Sequence, residues 1–138
     1  MAKNNGLRDL QRRLGKIPAA IKRVAEATLD QGAEEIVQIQ KRLAPHEDGT
    51  LQDSIRWKRD GELRRLITAG GPTTTKKVRN SEKGNAPEYD YALAVEFGTQ
   101  KMAPQPFFWP GYRVAKKRAV NRVKRATAKA IKDTFNGK

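Results

Sequence analysis

Residues 110–135 read PGYRVAKKRAVNRVKRATAKAIKDTF, and the reading of this stretch decides the fold. At about 100° per residue, Tyr112, Ala115, Ala119, Val120, Val123, Ala126, Thr127, Ala130 and Ile131 fall on one broad face. Arg118, Arg122, Arg125, Lys129 and Lys132 follow one another at steps of 4, 3, 4 and 3 residues along the opposite side. The pattern is that of a helix whose alanine-rich face can approach a neighbour closely while burying little area per residue. Such a helix needs an apolar partner, and one lies upstream. Ile21, Val24, Thr28, Gly32, Ile36, Ile39 and Leu43 recur every three or four residues and predict a second helix from Pro18 to about Leu43. Pro18 suits the first turn, where its missing N–H costs nothing. Ala44-Pro45 ends the helix, because a residue before proline is pushed out of the α region.

The segment between the two helices reads as short elements. Thr50, with Asp53 three residues later, resembles an N-cap and predicts a helical turn through Ser54. Ile55–Arg59 and Glu62–Ala69 flank Asp60-Gly61, a pair that suits a two-residue type I′ hairpin. Leu63, Ile67 and Ala69 make one face of that hairpin partly apolar. Gly70 to Pro87 has no period and almost no apolar content, which predicts a long loop. Tyr89 to Thr99 is short enough to be a helical turn or a strand, and periodicity leaves both open. The prolines of Ala103-Pro104-Gln105-Pro106-Phe107-Phe108-Trp109-Pro110 predict extended backbone with no helix before Pro110. The expected fold is α+β: a long N-terminal helix and a basic C-terminal helix packed on a small, mostly antiparallel sheet with a long inserted loop. One domain is expected over residues 1–138, with an N-terminal arm at 1–16, a flexible loop at 70–88 and the basic helix at 111–135.

The chain has 138 residues, 29 Lys+Arg against 15 Asp+Glu, one histidine and no cysteine. Without cysteine there are no disulfides, thiolate nucleophiles or Cys-ligated metals, which fits folding in a reducing cytoplasm. The single histidine, His46, excludes a multi-histidine metal site within one chain. No apolar run approaches the roughly 18 residues needed to cross a membrane. Met1 to Asn5 is not followed by an apolar core, so no secretory leader is expected. With 37% hydrophobic residues the core will be thin. The formal charge of +14 is uneven: residues 112–138 hold 10 basic groups against Asp133 alone. That asymmetry points to a polyanion, an acidic partner or a solvated tail.

Little of this supports catalysis. His46, Ser54 and Asp48 or Asp53 are triad residue types without the geometry that defines a triad, and Asp48 and Thr50 read better as helix caps. Glu34 and Glu35 point apart on a helix. Glu96, alone among apolar neighbours, is expected to pair with a basic side chain. Gly70-Gly71-Pro72-Thr73-Thr74-Thr75-Lys76 lacks the spacing of a phosphate-binding loop. No catalytic residue, cofactor or metal is expected. The Arg118-Arg122-Arg125-Lys129-Lys132 line could instead neutralise phosphates without reading bases. Phe107, Phe108, Trp109 and Tyr112 form a proline-hemmed aromatic cluster that either plugs the core or anchors a neighbour; in extended backbone Phe107 and Phe108 face opposite ways.

Taken in order, Ala44-Pro45 through Gly49, Leu51, Ser54-Ile55, Tyr91-Ala92, Val95-Glu96-Phe97-Gly98-Thr99, Gln105-Pro106-Phe107 and Pro110 resemble the gene-product-ten-like tail-component family of long-tailed double-stranded DNA phages. Asp48 departs from the threonine usual before the glycine. The resemblance implies a non-enzymatic α+β subunit of the neck or tail-completion type, forming a ring at the head–tail junction, with a hexamer favoured. Its partners would be the head-completion or connector protein and the tail-tube or tail-terminator protein. The chain would pass through the host cytoplasm during assembly and would not contact membrane. Tyr91, Glu96, Phe97, Gly98, Thr99, Pro106 and Phe107, with Phe108 and Trp109, are the expected subunit or partner interface. Arg118, Arg122, Arg125, Lys129 and Lys132 are expected to face DNA in the lumen or an acidic neighbour. The alternative is a non-specific basic nucleic-acid-binding protein.

Overall fold

Two long helices lie side by side in the computed structural model, which describes residue 8 and residues 18–47, 49–77 and 87–136. Helix α1 spans Ala19–Leu43; the Pro18 carbonyl accepts from Ile21 N–H and Lys22 N–H at 3.0 and 3.3 Å, and Ala44 leaves the helix in extended backbone. Helix α2 is the short turn Thr50–Ser54. Strands β1 (Arg56–Arg59) and β2 (Arg65–Thr68) form one antiparallel hairpin, and β3 (Thr75–Lys77) and β4 (Glu88–Asp90) form another. Helix α3 follows at Tyr91–Phe97 and helix α4 at Phe108–Phe135. The architecture is α+β, as expected.

Helices α1 and α4 run antiparallel, Gly32 facing Ala119 and Gln40 facing Gly111, and the glycines let them meet closely at both levels. A Cβ on Gly32 would stand 3.0 Å from the Ala119 Cβ, and one on Gly111 would stand 3.1 Å from the Gln40 Cα. Gly111, Ala115 and Ala119 are all buried along this line. Side chains this small, rather than the larger apolar ones, therefore set the rotation of α4. Val120 and Ile131, expected on the contact face, are each 42% exposed.

The core gathers Val37 and Ala44 from the α1 region, Leu51 and Ile55 around α2, Ala92 of α3, and Phe107 ahead of α4. Trp57, Ile67, Ala69 and Val95 pack partly buried against it. Among the described residues this cluster holds six buried side chains drawn from many elements, a small core consistent with the low apolar content.

Four local expectations are corrected. Thr50 is the first residue of α2 and not its cap: Gly49 occupies that position with φ +84° and no side-chain cap bond, so the expected box with Asp53 is absent. Asp48, expected to support this turn, lies outside the described residues. The first hairpin closes through Asp60–Arg64, with Asp60 N–H donating to the Arg64 carbonyl at 3.0 Å. Arg59 pairs with Arg65, so the turn is longer than the two residues that Asp60-Gly61 suggested. Part of the Gly70–Pro87 loop is ordered as a 3-10 turn at Pro72–Thr74 and strand β3, while 78–86 and most of the 1–16 arm lie outside the described residues. Finally, α4 begins at Phe108, two residues before Pro110. Proline is tolerated there because the first four N–H groups of a helix have no intrahelical acceptor.

Carboxylates on α1 fasten both of its neighbours. Glu35 accepts from Arg122 Nη1 at 2.8 Å and is ion-paired with Arg118, tying α1 to α4. Asp30 accepts from Arg59 Nη2 at 2.7 Å and from Arg65, and Glu34 accepts from Trp57 Nε1 at 2.8 Å, tying α1 to the first hairpin. The Arg122 hydrogen bond, with both arginine charges, holds Glu35 below the usual carboxylate range. Burial pushes Asp30 up, but its bonds from Arg59 and Arg65 outweigh that and leave it lowered. Hydrogen bonds from Gln38 and Trp57 lower Glu34. Groups whose folded pKa is depressed contribute stability above their unfolded values, about 4, and lose it as pH falls through the folded values. We expect the melting temperature to fall progressively below about pH 5 and the Glu35→Gln variant to show a flatter decline; a pH-melting series on both proteins checks this.

Candidate assembly interface

The segment from α3 to the start of α4 is one built unit. Asp90 starts it: its carboxylate accepts from Ala92 N–H (2.9 Å), from the Thr74 hydroxyl (2.6 Å) and from Gly71 N–H (2.9 Å). It thus caps α3 and pins that helix to the 3-10 turn, where Thr74 is wholly buried. At the other end of α3, Gly98 turns the chain with φ +77°, and a Cβ there would lie 2.8 Å from Pro104. Thr99 N–H donates to the Met102 carbonyl at 2.8 Å, closing the turn, and Gln105 N–H donates to the Val95 carbonyl at 2.8 Å, returning the chain alongside α3.

Glu96 completes the unit. Its side chain accepts from the backbone N–H groups of Phe107 (2.8 Å), Phe108 (2.9 Å) and Trp109 (3.1 Å). These are the donors at the N-terminus of α4 that the helix cannot satisfy itself, and a carboxylate there also meets the positive end of the helix dipole. The expected ion pair with a basic side chain is therefore wrong: Glu96, only 7% exposed, is a tertiary helix cap.

This geometry divides the nine expected interface residues. Glu96 and Gly98 build the turn, and Phe107, 1% exposed, fills the core. Those three hold the subunit's own fold, and for Phe107 this takes the core alternative of the two the sequence left open. Tyr91 is half-buried beneath the Lys76 ammonium, 4.7 Å from its ring centroid, and Phe108 is half-buried with its carbonyl accepting from Gln40 Nε2 at 2.9 Å. Thr99 and Pro106 are exposed. Phe97 and Trp109 face outward at 63% and 47% exposure. Trp109 stands between Phe108 and Tyr112, edge-on to both, with ring centroids 5.3 and 6.0 Å away.

Leu93, which the sequence reading missed, is 64% exposed and lies one turn before Phe97 on the same face of α3. The i, i+4 pairing was there to be seen once the segment was taken as a helix. All residues of α3 but Glu96 are uncharged, and Glu96 points inward, so its outer side is wholly apolar. On its other flank α3 borders an open groove of about 810 Å³ lined by Leu51, Tyr89, Tyr91, Val95, Lys101 and Met102, among others.

The basic line of α4 is also divided. Arg118 and Arg122 turn to Glu35, whereas Arg125, Lys129 and Lys132 are exposed with no acidic partner among the described residues. The candidate catalytic groups have other duties. His46 Nδ1 lies 2.6 Å from Gln52 Oε1, while the buried Ser54 hydroxyl donates to the Leu51 carbonyl at 2.6 Å and accepts from Gly70 N–H at 3.0 Å. Among the described residues no three His, Asp or Glu side chains are grouped to hold a metal, and no helix is long and apolar enough to cross a membrane.

Comparison with known proteins adds one finding. A family model described as "Bacteriophage HK97-gp10, putative tail-component" matches residues 8–98. No curated protein and no solved structure matches the chain. The matched span runs from before α1 through the Glu96-Phe97-Gly98 turn and stops short of Pro106, Phe107 and α4. As the match covers more than half of the sequence, the chain belongs to the HK97-gp10-like family of phage tail components.

Proposed function

We propose that this tail component is a ring-forming neck or tail-completion subunit that joins the head connector to the tail, with a hexamer favoured. The observation that carries the proposal is the bare apolar face of α3, where Leu93 and Phe97 are each about two-thirds exposed on a helix with no outward charge. A soluble monomer gains nothing from that surface, whereas a subunit whose neighbour covers it does. Its place beside the turn built by Glu96 and Gly98 gives it a rigid mount, as an interface anchor requires. The neighbours are further copies of the chain within the ring, the head-completion or connector protein on one side, and the tail-tube or tail-terminator protein on the other. The role has no catalytic step, and the site is the virion head–tail junction, reached after synthesis in the host cytoplasm.

Magnitudes explain how such a subunit would behave. Covering Leu93 and Phe97, already one-third covered, is worth about 3 kcal/mol in total. Association costs roughly 4–15 kcal/mol in lost freedom. One such contact does not hold two subunits together, so the free protein is expected to be monomeric in dilute solution. Closing a ring gives every subunit two contacts and favours assembly on a preformed platform.

The test is a pair of substitutions, Leu93→Asp and Phe97→Asp, in the phage. Because both side chains face solvent, the melting temperature of the purified variants should stay within a few degrees of the parent. Infectious joined particles should fall at least tenfold, with heads and tails accumulating separately. Normal yields of joined particles from the double variant would overturn the proposal. The alternative reading, a free nucleic-acid-binding protein, has in its favour the α4 cations that have no acidic partner among the described residues, and it predicts normal particles in this experiment.

A further inference from the structure

Nine basic residues lie between Arg113 and Lys132, and Glu35 is the only carboxylate seen bonded to any of them among the described residues. Arg118 and Arg122 take Glu35, and the Lys116 ammonium sits 5.4 Å from the Tyr112 ring centroid. Six remain without an acidic partner among the described residues: Arg113, Lys117, Lys124, Arg125, Lys129 and Lys132. All six are exposed.

Their arrangement is ordered. At about 100° per residue, Arg113, Lys117 and Lys124 form one ridge along α4, and Arg125, Lys129 and Lys132 form a second on the other flank. Between the ridges runs a strip of short uncharged residues, Val114, Asn121 and Ala128, spaced seven apart and all exposed. The strip faces away from α1, so it is open along its length. From Arg113 to Lys132 the helix extends roughly 28 Å. A solvated helix face ordinarily mixes charge signs, whereas this one carries a single sign in two rows with a smooth gap.

We propose that this outer face of α4 is a duplex-DNA surface, with the strip lying over a groove and the two ridges reaching the phosphate rows on either side. An α-helix is about as wide as the major groove, roughly 12 Å, so the fit needs no side chain in the strip longer than asparagine. Asn121 is the one strip side chain with a group that can bond a base edge, and Val114 and Ala128 carry none, so the affinity comes mainly from phosphate and depends little on base sequence. This assignment replaces the row read from sequence, because Arg118 and Arg122 belong to the fold and Arg113, Lys117 and Lys124 take their place. The proposed junction supplies only the source of the duplex. Failure of that role is read from particles, and failure of this surface from a binding isotherm.

The test titrates the purified full-length chain into a long duplex of arbitrary sequence at several NaCl concentrations between about 50 and 200 mM. Six phosphate contacts predict a slope of about −5 in log K against log [NaCl]. Arg113→Gln/Lys117→Gln/Lys124→Gln and Arg125→Gln/Lys129→Gln/Lys132→Gln should each lower its magnitude by about 2.7. Arg42→Gln/Lys58→Gln/Lys77→Gln removes the same charge from other exposed sites and should leave the slope unchanged. Ala128→Glu, which places an anion in the strip, should weaken binding at least tenfold while the melting temperature holds. The assignment is overturned by a parent slope smaller in magnitude than about 2, by equal slopes for ridge and control variants, or by binding of polyglutamate as tight as that of duplex. The last result would make the face a site for an acidic protein.

Discussion

Phe107→Ala is expected to destabilise the domain by about 3–5 kcal/mol, the usual range for deleting a buried phenylalanine side chain. The ring is 1% exposed and packs in the same cluster as Val37, Ala44, Leu51, Ile55 and Ala92, side chains from three other stretches of chain. Removing it leaves a cavity that no single element can collapse to fill. In a domain with a total stability of about 5–15 kcal/mol, that is a large fraction, and the melting temperature should drop by roughly 10–20 °C. Phe107→Leu keeps most of the volume and should lose less than half as much. Thermal melts followed by circular dichroism read both values. Trp109→Ala, two residues on, is the informative contrast. Its side chain is nearly half exposed, so a cost below about 1 kcal/mol is expected, with any loss of joined particles coming from the surface. If Phe107→Ala melted within a few degrees of the parent, the core assignment would be wrong.

That contrast shows which parts of the molecule are legible in the sequence. The two long helices are, because a period sustained over 25 and 28 residues leaves no alternative. The rotation of α4 is not. Weighting by hydrophobicity turns Val120 and Ile131 inward, whereas the energetic gain lies in close backbone approach at Gly32–Ala119 and Gln40–Gly111, which rewards smallness. The basic row then swings from the far side to the flank of the contact, where Glu35 meets Arg118 and Arg122. Helix α3 was undecidable from period alone because seven residues give two turns. What settles it is Asp90, which caps α3 while also holding Gly71 and Thr74, partners 19 and 16 residues away. Long-range bonds of this kind leave no spacing to read. The same holds for the pairing of Thr75 with Asp90 that turns part of the presumed loop into a strand.

Glu96 is where the two limits meet, and it carries the second large prediction. The sequence marks it as the lone charge in an apolar run, and the bonds it makes are to backbone, which no side-chain pattern announces. Glu96→Ala removes an acceptor shared by three N–H groups, two of which belong to the buried or half-buried Phe107 and Phe108. Loss of a helix cap costs about 0.5–2 kcal/mol, and each buried donor left unsatisfied about 1–3 kcal/mol. Because Trp109 is nearly half exposed and the contributions overlap, a total of about 3–4 kcal/mol is expected. Glu96→Gln keeps one carbonyl oxygen and the side-chain length but loses the charge that complements the helix dipole, so about 1–2 kcal/mol is expected. The two variants should also differ locally from Phe107→Ala. Amide exchange at residues 107–109 should accelerate more than at Ala115 or Ala119, because the first turn of α4 frays before the helix pair separates. Equal acceleration along all of α4, or an alanine variant as stable as the parent, would show that the carboxylate does not carry the turn. The order matters for assembly, since Phe97 is the next residue and Trp109 is one of the capped donors. A frayed cap would loosen the mount of the apolar face without touching the face itself. Glu96→Gln should therefore reduce joined particles less than Phe97→Asp does, even though it destabilises the free subunit more.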